Sequence, residues 1–257
     1  MPSELASIAD DYIARTNAHG PVAASSRGFH EHDARLGDRS RAALEERARD
    51  VRGLLDRLRA VDRAALTGHD PHDADLLDRR LRWELTEFEE VRTWQRGPGG
   101  YLGTIGSGCN GLVIRDFAPL AERIAALASR LEAAPALLEQ ARANLSDPSR
   151  YHVETAIEQG GGMRALFLRD LPDAVAPVAD AALKQRFDAA NRAALAAVDA
   201  FVAWMTTELL PKATDDFAWG ADNFRKLLSQ TDSIDDPLDV LIKRGEEDLR
   251  AHQSALC

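Results

Sequence analysis

Cysteine is nearly missing from this chain. Cys109 and Cys257 are the two in 257 residues, too few for a disulfide framework and not spaced as metal ligands, so a reducing compartment, the cytoplasm, is expected. Positive charge is short as well: 32 Lys and Arg stand against 42 Asp and Glu, for a net charge of −10 and an isoelectric point near 5.2. That balance argues against a phosphate-binding surface, so nucleic acid is not an expected partner. Long hydrophobic runs are also lacking. The longest, residues 193–205, is interrupted by Asp199 and falls short of the roughly 20 residues that span a bilayer. The opening stretch carries Glu4, Asp10 and Asp11 and no apolar core of signal-peptide type. Neither a membrane partner nor export is expected.

Catalytic signatures are missing too. A helical zinc peptidase needs His-Glu-x-x-His, because two imidazoles four residues apart reach one metal while the Glu activates water. The only His-Glu pair is His30-Glu31, and Ala34 stands where the second His would be. His30, Glu31, His32 and Asp33 have no second cluster at ligand spacing and fit a solvated turn. His69, His72 and Asp73 are explained by helix capping. Cys109 has no His pattern that would make it a nucleophile, and no serine sits in a nucleophile elbow. Tyr151, His152 and Glu154 share a predicted helix that can line a pocket, with His152 expected as a partly buried side chain. No catalytic residue, metal ligand or cofactor is assigned to this chain.

What the chain does have is helical period, in a composition that is 45% apolar and sufficient for a core. In residues 115–162, Leu120, Ile124, Leu127 and Leu131 fall on one face, and Leu137, Leu138, Ala141 and Leu145 continue the stripe. Between them Pro135 predicts a kink or a fresh start. Asp147-Pro148 predicts a capped start for the next helix, and Gly160 to Gly162 predict its end. Ser3 is placed to cap a first helix, a long charged helix is expected from Ser40 to about Val61, and His69-Asp70-Pro71 starts a third. Residues 21–39 have no period and are expected as a surface loop. Residues 178–210 are apolar around much of their circumference and predict a helix deep in the bundle, and Asp235-Asp236-Pro237 starts a last one.

Residues 96–115 hold seven glycines in twenty positions and are expected as a flexible crossover loop between helices. The expected architecture is all-α: one region over residues 1–257, with seven to nine helices in an elongated bundle.

A resemblance joins these pieces. The order of Arg115-Asp116 and Pro119, a regular helix ending near Arg130-Leu131, Pro135, the Ala141 to Leu145 stretch Ala-Arg-Ala-Asn-Leu and a Pro-led helix resembles the bacterial domain-of-unknown-function 885 family. Trp94, Pro98 and Tyr101 match its Trp, Pro and Tyr, and Gly220, Phe224 and Leu228 match its later Gly and apolar positions. Members of that family resemble zinc-dependent peptidases of the gluzincin type. The resemblance implies a metal motif downstream of the matched region, so the chain would be an N-terminal helical half that forms one wall of a peptide cleft. Tyr101, Trp219 and Phe224 are the cleft candidates. Zinc would belong to the full-length protein, supplied by the missing C-terminal half or by a partner chain. The C-terminal stretch RGEEDLRAHQSALC ends without a Gly cap, in keeping with an interrupted chain, and a missing half would leave an apolar patch exposed. The alternative is a stand-alone helical binding or scaffold protein.

Overall fold

Capping and apolar spacing together account for most of the architecture of the computed structural model, which describes residues 3–256. Cys257 lies outside the described residues. Twelve helical segments follow one another: α1 (Glu4–His19), α2 (Pro21–Ser26), α3 (Arg41–Ala60), α4 (Asp70–Thr86), α5 (Thr93–Arg96), α6 (Gly99–Ile114), α7 (Leu120–Asn144), α8 (Arg150–Ala165), α9 (Leu171–Val175), α10 (Ala181–Trp204), α11 (Gly220–Thr231) and α12 (Leu238–Ala255). Three π-helical turns prolong α4, α8 and α10. With those turns merged, nine of the helices are long and no strand occurs among the described residues. The fold is an all-α multi-helix bundle.

Starts follow the side-chain chemistry. Ser3 Oγ accepts from the Ala6 amide at 3.2 Å and Ser40 Oγ from Ala43 at 3.3 Å, satisfying amides the first turn leaves free. Asp180 does the same for Ala182 and Leu183 in α10. Two expected caps shift. Asp70 is the first residue of α4, while His69 holds the cap position with no side-chain bond. α8 starts at Arg150 rather than after Asp147, because Pro148 and Arg150 exchange backbone hydrogen bonds with Thr214 and hold residues 148–149 extended.

Helices α1, α3 and α4 enclose a smaller buried cluster that includes Ile8, Leu54, Leu58 and Leu81. The larger cluster runs from α6 to the end of α10, with α7 at its centre between α6 and α10. Pro135 does not interrupt α7. A proline inside a helix costs about 3 kcal/mol, but Leu131, Ala134, Leu137 and Leu138 around it are all at most 2% exposed, and burying each leucine returns roughly 1.5–3 kcal/mol. Packing outweighs the lost bond.

The expected glycine-rich loop is instead α6. Six of its residues are glycine, a penalty of about 5 kcal/mol relative to alanine. Tyr101, Leu102, Ile105, Cys109 and Leu112 repeat at helical spacing and are all buried, and their burial carries the helix against that penalty. The glycines let neighbours approach. A Cβ at Gly108 would lie 2.9 Å from Val22 Cγ2 and 3.2 Å from Leu36 Cδ1. The same approach explains why residues 21–39 are only partly a loop: Pro21 starts α2, which packs on α6.

Cys109 is fully buried on α6, and burial pushes its thiol up to about 12, with Arg130 opposing. At about pH 8 its thiolate is therefore scarce. Peptide mapping after iodoacetamide treatment should find Cys109 unmodified in the folded protein and modified in urea. Rapid labelling under native conditions would contradict the packing of α6.

The helix from α10 to its last turn, Ala181–Lys212, is long and apolar enough to cross a membrane by length and composition, with a mean hydropathy of 1.4 over its most apolar 18 residues. That exceeds the run expected from sequence. One face, with Phe187, Ala194, Val198, Phe201 and Met205, is buried and packs mainly on α7. The other is exposed and alanine-rich, so the helix lies along the bundle rather than deep inside it.

Candidate functional site

A concave site forms where α5, the start of α6, α8 and the segment before α11 converge. The chain reaches it through a strained turn: α4 ends in the π turn Glu87–Val91, and Arg92 then adopts a left-handed conformation with φ 55°. Such outliers persist where surrounding contacts hold them, and π turns recur at functional positions. The turn brings Thr93, Trp94 and Arg96 to one rim. Trp94 Nε1 donates to Phe88 O at 3.1 Å, and the two rings stack with centroids 5.7 Å apart.

Tyr101 forms the floor. Its hydroxyl donates to Trp94 O at 2.8 Å and accepts from Asn144 Nδ2 at 3.0 Å. Asn144 Nδ2 also donates to Arg39 O at 2.7 Å, and the Arg39 guanidinium lies over the Tyr101 ring at 5.6 Å. Burial raises the phenol's pKa, with Asn144 and Arg39 pulling the other way. Tyr101 therefore acts as a neutral brace.

Across the cavity, α8 presents His152 and Thr155, and Trp219 closes the remaining side. Burial lowers the pKa of His152, with the positive charge of Arg96 adding to the effect, so the ring is neutral at pH 7. Its Nδ1 is buried without a partner, as is Arg96 Nε. Arg96 Nη2 donates to Asp216 O, which ties the segment before α11 to the rim. The cavity is open on one side, with a volume of about 280 Å³.

Of the three cleft candidates, Tyr101 and Trp219 line this cavity together. Phe224 does not. It sits on α11 in a separate shallow depression shared with Phe217 and Trp219, and it is 46% exposed. Trp219 bridges the two, resting against Trp83 at 6.0 Å. Sequence reasoning missed Arg39 and Arg96. Arg39 lies in a stretch without period and Arg96 inside a presumed loop, so no local spacing marked them.

The zinc that the resemblance implies for the full-length protein finds no fitting donor set here. His30 Nδ1 is 2.8 Å from Asp33 Oδ2 and its ring stacks on Phe117 at 3.9 Å. Among the described residues no group of three or more His, Cys, Asp or Glu is arranged to hold a metal. No step is derived through that ion.

α11 lies on α4, where Arg79 bonds Ser229 and Thr86 Oγ1 donates to Gln230 at 3.2 Å. α12 buries no residue. Its Leu238, Leu241, Ile242, Leu249 and Leu256 fall on one helical face, and Ile242 and Leu249 are 63% and 58% exposed.

The pattern of a family described as "Bacterial protein of unknown function (DUF885)" matches residues 21–256. No curated protein matches. Among solved structures, a candidate lipoprotein of unknown function from Shewanella oneidensis superposes with a TM-score of 0.86 at 23% identity, over 99% of this chain and 47% of that one. That likeness shows the fold alone. The chain spans about half the length of the solved protein it matches.

Proposed function

Because the chain belongs to the DUF885 family of bacterial proteins of unknown function, we propose that it is the helical N-terminal half of a larger peptidase-like protein. In this reading it forms one wall of a cleft for a peptide substrate, with Tyr101 and Trp219 inside the wall and Phe224 at its edge. The second half, continuous with this chain or on a partner, supplies zinc and the catalytic residues. The observation that carries the reading is the open apolar face of α12. A stripe of leucine and isoleucine on water is unfavourable by roughly 1.5–3 kcal/mol per side chain relative to a buried one, and a fold sharing this architecture is about twice as long.

The test is the intact mass and zinc content of the protein from its native source. A species of about twice 28.1 kDa, or a tightly held second chain, carrying His-Glu-x-x-His and zinc, is expected. A native species of this mass alone, free of partner and zinc, overturns the reading. It would favour the second one, a stand-alone binding or scaffold protein, which draws support from two apolar clusters that close within this chain. The compartment is part of the same test. Scarce cysteine supports the cytoplasm, the description of the Shewanella protein supports a location outside it, and cell fractionation decides.

A further inference from the structure

We infer that the cavity between α5, α6 and α8 binds a small organic carboxylate, up to about the size of one amino-acid residue, through Arg39 and Arg96. The inference stands on the cavity itself and holds whether or not a second half completes the protein.

Charge is the first argument. The Arg39 guanidinium forms no ion pair among the described residues. The carboxylate next to it in sequence, Asp38, is engaged by the Ser40 amide at 2.7 Å and Gln140 Nε2 at 2.9 Å. In a chain of net charge −10, a guanidinium kept in a concavity without a carboxylate is a vacant anion partner. Arg96 is only partly engaged. Asp147 and Asp216 stand 3.7 and 3.4 Å away, 63% and 72% exposed, and its buried Nε has no hydrogen-bond partner. A planar guanidinium matches a carboxylate's two oxygens.

The rest of the lining selects what carries the carboxylate. His152 is neutral, with its buried Nδ1 unpartnered, so it offers one more hydrogen bond without adding charge. Trp94 and Trp219 supply ring surface, which suits a carbon skeleton and gives a bare phosphate nothing to contact. The volume of about 280 Å³ sits at the small end of ligand pockets. It admits a free small acid or the last residue of a chain with a free C-terminus.

Isothermal titration of this chain tests the assignment, with N-acetylphenylalanine, its amide, inorganic phosphate and a tripeptide ending in phenylalanine. The acid is expected to bind once per chain with a dissociation constant below about 1 mM, and the amide at least about tenfold more weakly. Arg39→Gln should lower the acid's affinity about tenfold while moving the thermal midpoint by no more than about 4 °C, because the Arg39 backbone, not its guanidinium, bonds Gln140 and Asn144 and only the contact with the Tyr101 ring is lost. Arg96→Gln should do the same to affinity, with circular dichroism as the control for its bond to Asp216. A tripeptide that binds like the acid identifies a chain terminus as the source, and one that does not identifies a free acid. No binding of the acid, equal binding of acid and amide, phosphate as tight as the acid, or an unchanged affinity in a folded Arg39→Gln overturns the inference.

Discussion

Replacing Arg130 by methionine is expected to destabilise the protein by about 3–5 kcal/mol, the range for removing one partner from a buried ionic network. Arg130 sits in the middle of α7, and its side chain is 1% exposed. Its guanidinium donates to Gly108 O at 2.6 Å, Arg35 O at 3.0 Å and Ser25 Oγ at 2.6 Å, and the Asp33 carboxylate is 3.9 Å away. Burial lowers its pKa, with Asp33 and Cys109 acting in the opposite direction, and the group stays charged. One side chain thus joins α2, the 27–39 stretch and α6 to α7. Methionine fills much of the volume but removes the donors to Arg35 O, Gly108 O and Ser25 Oγ and the positive charge nearest the Asp33 carboxylate. Urea denaturation should show the loss, and the thermal midpoint should fall on the order of 10 °C for a chain of this size. Faster proteolysis between residues 27 and 39 should accompany it. A change below about 1 kcal/mol would mean that water or the backbone satisfies these groups without the arginine.

The three consecutive glycines of α8 should respond in opposite directions. Gly160 is buried, and a Cβ there would fall well inside contact of Val202 Cγ2 on α10 and 3.5 Å from Leu102 Cδ1. Valine is short and branched at Cβ, so it has little freedom to yield. Gly160→Leu is expected to cost about 1–3 kcal/mol through overpacking, and Val202→Ala in the same chain should restore part of it. Gly161 and Gly162 are exposed, and a Cβ at either meets nothing within 4 Å. Gly161→Ala and Gly162→Ala should each stabilise by about 0.4–1 kcal/mol, through helix propensity and a less flexible unfolded chain. Denaturation midpoints of the three single variants decide it. A stabilised Gly160→Leu, or a destabilised Gly161→Ala, would show that α8 and α10 do not meet at Gly160.

These glycines also mark where local reading stopped. Gly160 to Gly162 spelled a helix end and α8 continues through them to Ala165. The glycines of residues 96–115 spelled a loop and α6 forms there. In both places the apolar spacing was already helical, and at Gly108 and Gly160 the missing side chain answers to a neighbour's approach rather than to backbone freedom. Pro135 belongs with them, since its cost is local and the burial that outweighs it is not.

The candidate site was legible in part. Tyr101, at a family position, and Trp219 were both marked as aromatic cleft candidates, and the structure places them in one cavity. Phe224 carried the same mark and lies apart, because spacing on α11 says nothing about which way that helix faces. Arg39 and Arg96 carried no mark. A guanidinium without a partner exists only relative to the carboxylates around it, and those arrive from the turn before α8 and from the segment before α11.

Sequence by itself determined the all-α class, the serine cap of α1, the apolar stripes of α3, α4 and α7 and the family to which the chain belongs, since period and capping act within a few residues. Tertiary structure alone decided that a glycine-rich stretch is helix, that α10 shows one face to water, that Arg130 is a buried clamp and that two arginines share a cavity. The physical reason is one of range. Propensity and caps amount to about 1 kcal/mol each and are read within a turn, whereas burial and unpaired charge are properties of surfaces assembled from residues as far apart as Arg39 and Trp219, and where they conflict the larger energy prevails.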